Sequence, residues 1–113
     1  MKIVTYNVHK CRGMDGRTHV RRIADVLKDL DADIVALQEV FSSDHGRHSQ
    51  VEIIAEELGM ESAFGSTRHI KGRPYGNAIL SRWPVVGFKK FRLPWTRREQ
   101  RGCVRADIAT LWA

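Results

Sequence analysis

The sequence predicts an α/β (α+β) domain, and three observations carry that prediction. The stretch Asp33-Ile34-Val35-Ala36-Leu37-Gln38-Glu39-Val40 places four apolar residues in a row and then an amide and a carboxylate. Such a run reads as a strand covered on both faces, with its polar pair at the carboxyl end, where α/β sheets present chemistry. Two other stretches repeat apolar residues at helical spacing: Val20, Ile23, Ala24, Leu27 and Leu30, then Val51, Ile54, Ala55 and Leu58. The order strand, helix, strand is a crossover unit, which makes the first two strands parallel neighbours.

Composition sets the bounds. At 113 residues the chain is one small domain or part of a larger one. A hydrophobic content of 42% supports a core and excludes a disordered chain. Nineteen Lys and Arg against thirteen Asp and Glu leave a net charge of +6, which favours polyanionic partners. Cys11 and Cys103 have no CxxC spacing and form no disulfide framework, so reduced thiols are expected. No apolar run reaches membrane-spanning length and no signal peptide precedes the first strand, so the expectation is a cytoplasmic protein.

Taken in order, Lys2-Ile3-Val4-Thr5-Tyr6 is a short β-rich strand ending at Asn7, with His9 and Lys10 just beyond it. Gly13 and Gly16 make a loop, and Thr18 is the expected N-cap of the first helix. The crossover places Asn7 and Glu39 at the same end of the sheet. After the central strand, Phe41 to His48 is polar and turn-like, carrying Asp44, His45 and His48. Ser49-Gln50-Val51-Glu52 spells a capping box and Gly59 suits the C-cap of the second helix. Ala63 to Ser66 reads as a weak strand, Thr67 to Pro74 as a basic loop, and Tyr75 to Ser81 as a buried strand. Another strand begins at Val85 and runs to Arg92. Pro94 to Gln100 is a basic connection with Trp95, Arg97 and Arg98. From Gly102 to Thr110 the pattern alternates, with Val104, Ala106 and Ile108 on one side and Cys103, Arg105 and Asp107 on the other.

Three stretches together, Thr5 to His9, Asp33 to Val40 and Tyr75 to Arg82, resemble the endonuclease/exonuclease/phosphatase superfamily of metal-dependent phosphodiesterases. Arg101 to Asp107 resembles the strand that follows in that family. The resemblance implies half of a four-layer α/β/β/α sandwich, with one mixed sheet and two helices on one face. It also implies that Glu39 is the main protein ligand of a catalytic Mg²⁺, with Asn7 supplying a carbonyl oxygen or orienting a ligand, and Gln38 structural. A hard cation of this kind prefers carboxylate and carbonyl oxygens and keeps several waters. Some family members carry an acidic residue where this chain has His9; imidazole suits Mn²⁺ better, and His9 is equally read as a phosphate contact or a strand cap. Arg73, Tyr75 and Asn77 are candidates for holding the substrate phosphate, each with a structural alternative as a solvated charge, core edge or turn residue. The interleaving of Trp95 with Arg97, Arg98 and Arg101 fits a nucleic-acid or lipid head-group surface, or simply an exposed loop.

The family's domain is about twice as long as this chain. Its later Gly-Asp-Phe-Asn and Ser-Asp-His segments, which handle the attacking water, have no counterpart in the sequence. Residues 1–113 are therefore read as the amino-terminal part of the domain, truncated, and weakly active or inactive alone. The expected substrate is a phosphate ester: nucleic acid, a phospholipid head group or a small phosphodiester. The expected partner is the missing carboxy-terminal half or a second copy, covering a sheet face to which Val35, Leu37, Ile79 and Leu80 contribute. The competing class is a non-catalytic basic module that binds nucleic acid or anionic lipid.

Overall fold

A computed structural model describes residues 1–13, 18–43, 49–92 and 102–110. The expectations for the centre of the Gly13–Gly16 loop, for Asp44, His45 and His48, and for Trp95, Arg97, Arg98 and Arg101 lie outside these residues. The elements are β1 (Ile3–Asn7), α1 (Val20–Leu30), β2 (Ile34–Phe41), α2 (Gln50–Leu58), β3 (Glu61–Ile70), β4 (Arg73–Ser81), β5 (Val85–Arg92) and β6 (Gly102–Ile108), with a short turn over His9–Cys11 after β1.

Four strands form a mixed sheet in the order β1-β2-β4-β3, and β5 and β6 form a separate antiparallel pair. β1 runs parallel to β2 with Asn7 opposite Gln38, as the crossover requires. Period-two alternation then sorts the side chains. Val35, Leu37, Val40, Ala78 and Leu80 join Leu27 of α1 and Val51, Ile54 and Ala55 of α2 in one core. Burying a side chain such as Leu37 or Ile54 contributes about 1.5–3 kcal/mol. Three of the four residues expected to need a second cover, Val35, Leu37 and Leu80, are thus covered by the helices instead. Ile79 pairs with Ala36 and Ala63, one position out of phase with that set, and lies on the opposite face. On that face β5 and β6 pack over β3 and β4, so close at Gly65 that an added Cβ would lie 2.5 Å from Val104 Cγ2. The same face carries Ile3 on β1, which stays exposed.

Local chemistry sets the element ends. The capping box at α2 is formed, with the Ser49 N–H donating to Glu52 Oε1 at 3.1 Å, and Gly59 closes the helix at φ +64°. α1 differs from expectation. His19 occupies its N-cap position without a side-chain capping hydrogen bond, while Thr18 pairs with Arg12 in an isolated antiparallel bridge. Leu30, expected on the buried stripe, is 42% exposed because the helix ends there, ahead of Asp31 in the left-handed region. The basic loop expected over Thr67 to Pro74 is a hairpin instead: β3 continues to Ile70, and Lys71 and Gly72 alone make the turn. Their φ values of +51° and +78° match the twist of a two-residue hairpin, which removes any need for a longer loop.

Gly76 in β4 is required by close approach. A Cβ there would lie 2.2 Å from Gly65 O and 2.9 Å from Thr67 N, at the bulge between Ser66 and Arg68. Gly76→Ala is expected to destabilise the fold by about 1–3 kcal/mol, the usual cost of overpacking, read as a lower urea midpoint at unchanged m-value.

Candidate metal centre

The carboxyl ends of β1 and β2 lie side by side, so Asn7 and Glu39 meet as the sequence predicts. What the sequence does not show is how Glu39 is presented. The pairing of β2 with β4 shifts between Leu37 and Val40, and Glu39 sits in that bulge at φ +57°. Next to it, His9, Lys10 and Cys11 hold φ values of +49°, +59° and +57°. Non-glycine residues in this region cost about 1–3 kcal/mol each, and such strain clusters at functional sites. Two strained segments, the turn after β1 and the bulge in β2, lie side by side here.

The carboxylate of Glu39 is 39% exposed and surrounded by donors. Tyr75 Oη donates to Oε1 at 3.1 Å, and His9 Nδ1 lies 3.5 Å from Oε2. The Asn7 side-chain amide holds the carboxyl below its usual range; Tyr75, His9 and Lys10 act in the same direction against partial burial. Asn7 Oδ1 accepts the His9 N–H at 3.1 Å, so the amide nitrogen is the end turned toward Glu39. Gln38 serves the sheet: its Nε2 donates to Thr5 Oγ1 at 3.0 Å across the β1–β2 pair.

Tyr75 is buried, packed against Phe41 with ring centroids 5.2 Å apart and ring planes tilted by 58°, and flanked by Lys10 and Arg68 over its ring. Arg73 covers the other aromatic, its guanidinium 4.1 Å from the Phe41 ring, and donates to Ser49 Oγ. Asn77 stands apart from this cluster. Its Nδ2 donates to Gly102 O at 3.3 Å and ties the main sheet to β6.

One residue at the centre of this arrangement escaped the sequence analysis. Gln50, at the first turn of α2, is 5% exposed. Its Oε1 accepts the Phe41 N–H at 3.1 Å and its Nε2 donates to Lys10 O at 2.6 Å. It therefore joins the strained turn after β1 to the strand segment that follows Glu39. The capping box drew attention to Ser49 and Glu52; nothing in the sequence marks the residue between them as inward-facing. Cys11, also in the turn, is buried, which pushes its thiol up to about 12 and makes it a core group rather than a nucleophile.

Among the described residues no group of three His, Cys, Asp or Glu side chains gathers. A closed zinc cage therefore does not fit the described residues. One ionised carboxylate beside an amide, open to solvent, does fit a hard cation that retains water and takes further oxygens from a phosphate.

Comparison with known proteins gives the family and the fold. The profile described as Endonuclease/Exonuclease/phosphatase family matches residues 4–109. The chain belongs to that family. Its members are in general divalent-metal-dependent hydrolases of the phosphodiesterase and nuclease type. The uncharacterized protein YbhP of Escherichia coli is 29% identical over 117 aligned residues, covering 95% of this chain and 46% of the relative. The same relative from Shigella flexneri matches equally. The chain thus spans about half the length of the curated relatives it matches. Two solved structures share the fold over 96% of the chain. An endonuclease/exonuclease/phosphatase from Beutenbergia cavernae has a TM-score of 0.72 at 22% identity, with 34% of its own length covered. A family protein from Leptotrichia buccalis has a TM-score of 0.74 at 17% identity, with 49% covered. The described residues contain no helix long and apolar enough to cross a membrane.

Two predictions follow from these contacts. Tyr75→Phe removes a donor to the ionised form, so the Glu39 carboxyl should titrate at higher pH, followed by carbon-detected NMR. Because the folded carboxyl titrates below the unfolded one, its contacts stabilise the fold above the ordinary Glu range, and that contribution fades as pH falls through the lowered value. Gln50→Leu strands the Phe41 N–H and the Lys10 carbonyl, and should cost about 2 kcal/mol or more in urea unfolding.

Proposed function

We propose that this chain carries the metal-anchoring part of a phosphoric ester hydrolase, with residues 1–113 forming the amino-terminal portion of the family's domain. One observation carries the reading: Glu39 is held ionised in a left-handed bulge at the open end of β2, beside Asn7. A strained backbone that costs stability yet presents a charge to solvent fits ligand binding better than structural support. Glu39 is the protein ligand of Mg²⁺, and Mn²⁺ is the alternative that His9 makes reasonable. Asn7 orients the carboxylate through its amide nitrogen; its carbonyl serves the ion only by giving up the His9 N–H. When bound, the ion supplies Lewis-acid polarisation of the phosphate ester.

The remaining roles belong to the chain's own donors. His9, 70% exposed beside Glu39, contacts a phosphate oxygen of the substrate. Arg73 and Tyr75 complete the phosphate-binding side, with Tyr75 also fixing the carboxylate, and Asn77 joins them only by giving up its bond to Gly102 O. The groups that activate the attacking water come from the rest of the domain or from a second copy. A non-catalytic basic module is the second reading, favoured by the gathering of Lys10 and Arg68 around Tyr75.

The test is hydrolysis of a generic phosphodiester with Mg²⁺ and with Mn²⁺, by this chain alone and with the remainder of the domain supplied. Glu39→Ala should lower the metal-dependent rate and the metal affinity by at least about 100-fold. Metal-dependent hydrolysis that survives the substitution would overturn the assignment. Binding of polyanions that ignores EDTA, with no turnover in any combination, would favour the second reading.

A further inference from the structure

One buried side chain joins the two flanks of the metal centre to each other. Gln50, at the start of α2, is 5% exposed and bonds in two directions. Its Nε2 donates to Lys10 O at 2.6 Å and its Oε1 accepts the Phe41 N–H at 3.1 Å. The backbone that carries it is fixed on its own account. The Ser49 N–H bonds Glu52 Oε1 within the capping box, and Ser42 Oγ donates to Glu52 Oε2 at 2.6 Å, which clamps the start of α2 to the segment after β2.

Each bond of Gln50 leads to one side of the Glu39 carboxylate. On the first side, Lys10 is the middle of three successive non-glycine residues in the left-handed region, His9, Lys10 and Cys11. L-residues enter that region singly and at a cost, so a run of three persists only where the surroundings hold it. Among the described residues two bonds reach this turn from distant segments, the His19 N–H to Cys11 O at 2.9 Å and Gln50 Nε2 to Lys10 O. The turn aims the His9 N–H at Asn7 Oδ1, which leaves the Asn7 amide nitrogen facing Glu39. A relaxed turn would free the Asn7 side chain to rotate. On the second side, Phe41 stands two residues beyond Glu39 in β2, past the bulge. Its ring packs on Tyr75, whose hydroxyl donates to Glu39 Oε1. One side chain, not itself bonded to the carboxylate, is thus tied to both groups that hold it. We infer that Gln50 is a positioning residue of the metal centre: it locks the turn after β1 and the end of β2 in one arrangement, so that Asn7 and Tyr75 keep the Glu39 carboxylate in the orientation that receives the cation. That role rests on the proposed function for the ion at Glu39, while the lock is a property of the metal-free fold.

The test compares the 113-residue chain with Gln50→Met, which keeps the length of the side chain and loses both bonds. Should Gln50→Met fail to fold, Gln50→Asn takes its place, since it stays polar but is one methylene too short to span both partners. Leu27→Ala, on the buried face of α1, is the control for lost stability alone. Two readouts need no turnover. Mn²⁺ affinity of the folded fraction, followed by electron paramagnetic resonance, should fall by about tenfold or more in the Gln50 variant, the low end of what the partners of metal ligands contribute. In Leu27→Ala it should stay within about twofold. In the metal-free chain, the Cα and Cβ shifts of His9, Lys10 and Cys11 should leave their left-handed values in the Gln50 variant and keep them in Leu27→Ala. Mn²⁺ affinity within about twofold of the unsubstituted chain in a folded Gln50 variant overturns the positioning role. Unmoved shifts overturn it too, and so does an equal loss of affinity in Leu27→Ala, which would make Gln50 an ordinary contributor to stability. The two readings fail separately. Mn²⁺ affinity that survives Glu39→Ala removes the ion from Glu39 while the shifts still move in the Gln50 variant; affinity lost in Glu39→Ala but kept in the Gln50 variant removes the positioning role alone.

Discussion

The left-handed bulge at Glu39 is the constraint on which the rest of the site depends. In a regular strand the residue after Gln38 would return to the helix side of the sheet, into the core that holds Leu37 and Val40. A carboxylate there would be buried at a cost of several kcal/mol, or would be neutralised. One extra residue in β2, taken at φ +57°, keeps Leu37 and Val40 in the core and turns the intervening side chain out toward Asn7, His9 and Tyr75. The backbone strain is offset by contacts the bulge makes possible, chiefly donors that favour the ionised form.

Strain can be held only if the surroundings are firm, and β2 is fixed at both ends. At its foot, Asp33 accepts the Lys2 N–H at 2.7 Å and lies 3.3 Å from Arg82 Nε, while Arg82 also bonds Ala32 O. At its head, Gln50 ties the strand to the turn after β1. Each of these bonds contributes only about 1 kcal/mol net. Their effect is positional, since they leave the carboxylate few alternatives to the geometry that a cation and a phosphate would need.

The charge distribution follows the same division. The ionised carboxylate of Glu39 stands near cations from two segments distant in sequence, the turn at Lys10 and the hairpin at Lys71. Among the described residues Glu39 forms no ion pair with Lys10, Lys71 or Arg73. Such separation suits a site that must hold a metal ion and a phosphate at once.

Much of this architecture was legible in the residues. The apolar run at Ile34 to Leu37, the helical periods and the crossover order determined a parallel β1–β2 pair, and with it the meeting of Asn7 and Glu39. Those signals are local or follow from handedness, so one chain suffices to read them. The capping box at Ser49 and the αL glycine at Gly59 are local in the same way. What the sequence left open depends on contacts between distant segments. No glycine marks Glu39 as a left-handed residue; the bulge is imposed by the register of β4. Thr67 to Pro74 looks like a loop because its charges suggest solvent, whereas pairing with β4 draws it into a strand. Gln50 looks like a surface helix residue and becomes a buried link only because the turn after β1 and the end of β2 converge on it. Periodicity and composition fixed which elements form and in what order; register and close approach, which no single stretch encodes, decided where the charges point.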